Sequence, residues 1–273
     1  MKFLIFILIL SISAWSWAQG TTEEELRLKG QKDLSFNLLL GYSAMTDRAD
    51  TESESVYFNA LGTGIYAGYM GWTANVDTSF NYTSVDGEVK ADQNDRDFYL
   101  QDTTLSISKA LWQDSQNTLS PSVFYVLPTN QATQNLGIKG VLGLDLMLNS
   151  RFFKNKLSLT NSGSAYGIIN TYYYSPLTGL VNQNAGYSYK LGLTYQMFKG
   201  LSASVGGGVK LSQYVDGSQT FRFQNSARLS YQYAKWTVYG FWMNGSYSDQ
   251  TDLDLWYVDE YRQIVGVGFN VVL

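Results

Sequence analysis

Phe221-Arg222-Phe223-Gln224-Asn225-Ser226-Ala227-Arg228-Leu229-Ser230-Tyr231-Gln232-Tyr233 decides the fold. Taken alternately, Phe221, Phe223, Ala227, Leu229, Tyr231 and Tyr233 form one set, and Arg222, Gln224, Ser226, Arg228, Ser230 and Gln232 the other. Successive side chains of a strand point to opposite faces, so this period of two predicts a long strand with one apolar and one polar face.

The pattern continues on both sides. Leu201, Ala203, Val205, Val209 and Leu211 oppose Ser202, Ser204, Gly206, Gly208 and Lys210. Tyr187, Tyr189, Leu191, Leu193 and Tyr195 oppose Ser188, Lys190, Gly192, Thr194 and Gln196. Earlier in the chain Trp72, Ala74, Val76, Thr78, Phe80 and Tyr82 oppose Thr73, Asn75, Asp77, Ser79 and Asn81. Leu34, Phe36, Leu38, Leu40 and Tyr42 share one face of the first run, with Leu39 the apolar exception on the other. Helical periodicity is nowhere comparable. The segments 33–43, 56–69, 72–84, 98–109, 118–127, 138–150, 157–171, 185–197, 201–213, 219–233, 236–246 and 258–273 read as about twelve strands, with 10–14 compatible. Strands of soluble proteins usually have about 5 or 6 residues, whereas a tilted strand crossing a bilayer needs about 9–11. These lengths favour the membrane.

Connections alternate between short and long, as in outer-membrane barrels with tight periplasmic turns and longer outer loops. Met70-Gly71, Phe153-Lys154-Asn155, Phe198-Lys199-Gly200 and Ala234-Lys235 are tight, and 44–55, 85–97, 128–137, 172–184 and 247–257 are long and polar. Two links fit less well: 110–117 is long for a periplasmic turn, and 214–218 is short for an outer loop. Aromatic residues gather at two levels. Trp72, Trp112, Phe152, Phe153, Tyr195, Phe198, Tyr231, Tyr233, Trp236 and Phe269 form one, and Tyr42, Tyr82, Tyr187, Phe221, Phe223, Tyr247, Trp256 and Tyr257 the other. A bilayer with two interfaces selects two such girdles. The expected fold is therefore all-β, an up-and-down antiparallel transmembrane β-barrel over 33–273. Closure pairs every strand edge, so no backbone polar group meets hydrocarbon unsatisfied. Pro121 lacks a ladder donor and predicts a bulge or a later strand start.

The N-terminus supplies the address. Lys2, an apolar stretch from Phe3 to Ile12 and Ser16-Trp17-Ala18 read as a secretory signal peptide over residues 1–18. A charged segment, 19–32, follows as a short periplasmic tail. Cleavage removes Lys2 and no acid, taking the formal charge from 19 − 23 = −4 to 18 − 23 = −5. That balance argues against nucleic acid as a partner, because such affinity needs clustered cations. At the other end Tyr261, Gln263, Val265, Val267, Phe269, Val271 and Leu273 alternate to the last residue. This run resembles the terminal-strand signature of bacterial outer-membrane β-barrels, with Leu273 where Phe or Trp is usual. The resemblance implies localisation in a bacterial outer membrane, contact with lipid and lipopolysaccharide, and recognition of the last strand by the barrel insertion machinery.

With apolar faces outward, the inward charges are Asp77, Asp102 and Asp145 on earlier strands and Lys190, Lys210, Arg222, Arg228 and Arg262 on later ones, with Lys139 near an outer end. Consecutive strands are neighbours, so acids and bases occupy adjoining arcs and set up a transverse field that favours anions. Asp145, Lys190 and Arg228 fall near mid-strand, where a constriction is expected. Eight-stranded barrels are filled by side chains and sixteen-stranded ones enclose water, so about twelve strands suit either an open channel or a plugged bore. The outer loops are acidic, with Asp47, Asp50, Glu52 and Glu54 in the first and Glu88, Asp92, Asp95 and Asp97 in the second. Asp92–Asp97 departs from a calcium loop, with Asp at the sixth position and no closing Glu.

The chain of 273 residues has no Cys and no His. That removes disulfides, thiolate metal sites and the commonest general base, and no dinucleotide or phosphate-loop fingerprint is present. No enzyme activity, cofactor or metal is expected. Two readings stand: a porin-like passive channel for small hydrophilic solutes with a bias toward anions, or a non-conducting structural or adhesive barrel acting through its acidic outer loops.

Overall fold

The computed structural model describes residues 35–48, 55–86, 97–175, 179, 181–248 and 263–272. The signal peptide, the charged tail, Arg262, most of the acidic loop residues and the upper-girdle residues Trp256 and Tyr257 lie outside them. Twelve strands follow in order: β1 Ser35–Arg48, β2 Ser55–Tyr69, β3 Trp72–Asp86, β4, β5 Asn117–Leu127, β6 Ile138–Phe152, β7 Leu157–Asn170, β8 Gln183–Phe198, β9 Leu201–Tyr214, β10 Gln219–Tyr233, β11 Trp236–Ser248 and β12 Gln263–Val272. Strand β4 runs through three segments, Asp97–Leu100, Thr103–Lys109 and Trp112–Gln113. One short helix, α1 Gln131–Asn135, follows β5. Each strand pairs antiparallel with its sequence neighbours, and β1 also pairs with β12, from Leu39↔Val272 to Arg48↔Gln263, which closes the barrel.

The barrel is inverted relative to a soluble protein. Leu144 is 59% exposed and Val267 61%, while Asn149 is 2% and Asn244 1% exposed. A continuous apolar exterior around a polar interior requires a lipid solvent outside. Leu39, the apolar exception in the first run, is 5% exposed because it belongs to the inward set of β1.

The tight links explain themselves locally. Met70 (φ 50°) and Gly71 (φ 79°) both adopt the left-handed conformation that two-residue hairpins need, and Phe153, Lys154, Asn155 and Ala234 also have positive φ. Gly200 (φ 85°) could not be otherwise, since a Cβ there would collide with the Gln232 carbonyl. The long periplasmic link is in fact short. Trp112 pairs with Leu119 and Gln113 with Thr118, so β4 extends to Gln113 and the turn is 114–116. Asp114 Oδ1 accepts from Gln116 N (2.7 Å) and Asn117 N (2.6 Å), and these donors hold its carboxyl below the usual range.

Pro121 does produce a bulge, but on its neighbour. Between Ser108↔Ser122 and Trp112↔Leu119, four steps of β4 meet three of β5, while Pro121 keeps its register with Leu146 on the other side. A second bulge lies at Gln101-Asp102, where four steps of β4, from Leu100 to Thr104, meet three of β3, from Phe80 to Asp77. The girdles need one correction. Tyr42, assigned above to the outer level, packs with its ring 6.0 Å from that of Phe269, which lies 6.3 Å from Trp236 of the periplasmic level. The stagger between β1 and β12 brings a mid-strand residue of one beside an end residue of the other.

Candidate solute path through the barrel

On β5 to β10 the inward residues line up across the strands. Ser122, Asp145, Ser164, Ser188, Lys210 and Arg222 are successive register partners, forming one lateral row on the lumen face. Ser122 Oγ donates to Asp145 Oδ2 at 3.5 Å, and the hydroxyls of Ser164 and Ser188 are 2.7 Å apart. The next row toward the periplasm contains Met147, Ser162, Lys190, Gly208 and Gln224. Lys190 lies close enough to Asp145 and to Lys210, and Lys210 to Arg222, for their charges to interact. Arg228 stands six residues beyond Arg222 on β10, opposite Ser204, with its guanidinium 4.0 Å above the Tyr239 ring.

Around a ring of twelve, β3 is six strands from β9, the farthest separation possible. Asp77 on β3 therefore faces the cationic strands β8–β10 across the bore rather than adjoining them. Its Oδ1 accepts the Tyr66 hydroxyl at 2.9 Å, and beside it Asn75 Nδ2 donates to Ser106 Oγ at 2.8 Å. Asp145 borders the basic arc, so among the described residues the field combines a close acid with a remote one.

Asp102 is not a wall charge. Displaced by the bulge of β4, it accepts from Asn130 N (2.9 Å) and Thr133 Oγ1 (2.8 Å) and so holds the start of α1. The loop 128–137 is also anchored by Thr129 Oγ1 donating to Gln101 O (2.7 Å), and is held internally by Gln134 Nε2 donating to Pro128 O (2.7 Å). Asn182 ties this loop to its neighbour, donating to Tyr172 O (3.0 Å) and Leu136 O (3.4 Å). Lys139 sits exposed at the register shift that opens β6.

Inward aromatic rings are the feature that alternation alone overlooks. Phe124, Tyr166, Tyr239 and Phe241 lie over Gly143, Gly186, Gly268 and Gly266, each the register partner on the adjacent strand. Tyr166 also receives Gln183 Nε2 at 3.2 Å, and Lys210 Nζ lies 5.4 Å from its ring centroid. The sequence signal was an aromatic on the polar register opposite a glycine.

A closed antiparallel barrel of twelve strands, apolar outside and polar with opposed charges inside, is the fold of an integral outer-membrane β-barrel of the porin type. No protein-family model and no curated relative matches this sequence. Among solved structures the fold is similar to the COG4313 outer membrane channel from Pseudomonas putida F1, with a TM-score of 0.62 and 13% identity over 87% of this chain and 95% of that one. It is also similar to the NanC porin (TM-score 0.53, 14% identity, 87% of this chain and 99% of that one) and the KdgM porin (0.51, 11%, 85% and 98%). At these identities the shared property is the fold.

Proposed function

We propose that this barrel is a passive channel for small hydrophilic solutes that favours anions, and that it is not an enzyme. The observation that carries this reading is the opposition of Asp77 on β3 to Lys190, Lys210, Arg222 and Arg228 on β8–β10 across one lumen. Fixed charges on facing walls orient a polar solute and raise the concentration of the favoured ion in the bore. The structures it resembles carry the names of channels and porins, which supports the same reading. Lack of His and Cys counts against the usual catalytic groups. The exterior meets lipid, lipopolysaccharide contacts the outer rim, and the last strand engages the insertion machinery as parts of the same proposal.

The loop 128–137, in which Asn130, Thr133 and Leu136 are buried, favours a second reading in which the lumen is closed and the barrel serves the envelope structurally. Planar-bilayer recording separates the two. Stepwise ohmic currents with an anion-biased reversal potential, shifted toward cations by Lys190→Gln with Arg228→Gln, support the channel. Silence from a barrel shown to be folded overturns it.

A further inference from the structure

Asn225 interrupts the lipid face of β10. It belongs to the outward set of that strand and is exposed, with Phe221 and Phe223 on its outer side and Ala227 and Leu229 on its periplasmic side. On β9 the outward residues Val209 and Val205, one step to either side of its level, are exposed too. The amide therefore sits within the apolar band and not at its edge. Several other polar side chains of this face pair within it. The Tyr42 hydroxyl donates to Asn59 Oδ1 (2.7 Å), the Tyr189 hydroxyl to Asn161 Oδ1 (2.9 Å) and Trp242 Nε1 to Gln263 Oε1 (3.3 Å). Asn225 makes no such pair: among the described residues its side-chain amide has no hydrogen-bond partner.

A primary amide carries two N–H donors and a carbonyl acceptor, and acyl chains satisfy neither, so leaving it in hydrocarbon is costly. The surface beside it is low. Its register partner on β9 is Gly207, where a Cβ would stand 3.3 Å from Asn225 Oδ1, so glycine leaves the amide room to lie across β9. The next outward residue on β10 is Ala227, which adds only a methyl group. A polar group set among small residues lets two membrane-embedded surfaces approach closely and bond across the contact.

We infer that the outer face of β9 and β10 around Asn225 and Gly207 is an interface with a second copy of this chain, in which the Asn225 amides of the two barrels hydrogen-bond to each other. The occupant follows from the chemistry of the amide, which is complementary to itself because it both donates and accepts. Symmetry fixes the rest. Barrels inserted in the same direction can be related by a two-fold axis only if that axis runs along the membrane normal. A residue at such an axis meets its own copy at the same depth, so Asn225 meets Asn225. The interface goes beyond the channel reading and stands or falls without it.

Self-association of the full-length barrel in phosphatidylcholine vesicles, followed by energy transfer between labelled copies as the protein-to-lipid ratio is varied, tests this. A monomer–dimer equilibrium is expected for the parent. Asn225→Leu should weaken it by about tenfold, and Asn225→Gln, which keeps an amide, should restore most of it. The urea midpoint of the diluted, monomeric Leu variant should not fall below that of the parent, since the amide holds nothing in its own wall. The chain has no Cys, so single cysteines report contact directly. A short thiol-to-thiol crosslinker should join copies carrying Ala227→Cys and not copies carrying Leu105→Cys, which lies on the lipid face of β4, six strands away around the ring. Should the Leu variant not fold, this pair of cysteine variants decides. A parent that stays monomeric at every ratio, or that forms trimers, overturns the interface. So does association indifferent to Asn225→Leu, a lowered midpoint with unchanged association, or equal crosslinking at the two cysteines.

Discussion

The guanidinium of Arg228 lies 4.0 Å from the centroid of Tyr239, and the same ring covers the backbone of Gly268 on the next strand. One aromatic side chain thus holds a cation in the lumen while filling a gap in the ladder. A methyl group on Gly268 would sit 2.6 Å from Tyr239 Cζ and 2.6 Å from the Tyr42 carbonyl, and must push the ring off Arg228. Gly268→Ala is expected to cost about 1–3 kcal/mol from overpacking and about 0.5–2 from the lost cation–π contact. Gly240→Ala, whose methyl meets only the Gly266 carbonyl at 3.9 Å, should be nearly neutral. Urea unfolding in micelles compares them, and coincident midpoints would show that Gly268 does not confine the ring.

Leu144 and Asp145 are neighbours in sequence and opposites in solvent. Leu144 is on the lipid face and Asp145 on the lumen face of β6. Leu144→Arg places a charge in hydrocarbon and should destabilise the bilayer-inserted barrel by about 2–4 kcal/mol. Thr104→Lys, on the lumen face opposite Asp77, should stay within about 1 kcal/mol. Unfolding from lipid vesicles measures both, and a Leu144→Arg protein as stable as the parent would mean that this face does not meet lipid.

Alternation made the barrel legible because a period of two is a purely local property, visible wherever one face is apolar. It placed Asp77, Asp145, Lys190, Lys210, Arg222 and Arg228 on the inner wall, where their strands present them. It failed where register or tertiary contact decides. The bulge at Gln101-Asp102 turned Asp102 toward α1, and a bulge depends on how two strands pair. Pro121 announced a defect without saying that the adjacent strand would carry it. The lateral row from Asp145 to Arg222 needed registers across four hairpins, which no single segment encodes.

Tyr166 narrows the lumen beside the cationic row, its ring over Gly186 and near Lys210. Truncation to Ala removes volume from the bore and leaves every charge in place. Tyr166→Ala should raise single-channel conductance, with little change in anion preference. Tyr187→Ala, on the lipid face of the adjacent strand, removes the same volume outside and should leave conductance unchanged. Equal conductance in the parent and both variants would place the constriction elsewhere.

Asp102 joins the barrel wall to the loop that folds against it. Its two oxygens accept from Asn130 N and Thr133 Oγ1, and both residues are buried. Asp102→Ala leaves those donors without that acceptor, at about 1–3 kcal/mol for each buried group. The strand ladders do not pass through this contact, so the loss should be local. Amide hydrogen exchange in the loop 128–137 should accelerate about ten- to a hundredfold, while amides of β8 and β9 exchange as in the parent. Asp102→Asn retains an acceptor oxygen for one of the two donors and should fall between. Uniform acceleration across loop and strands would show that Asp102 supports the whole barrel, whereas confinement to the loop would identify it as a clamp on α1, separate from the charges that line the bore.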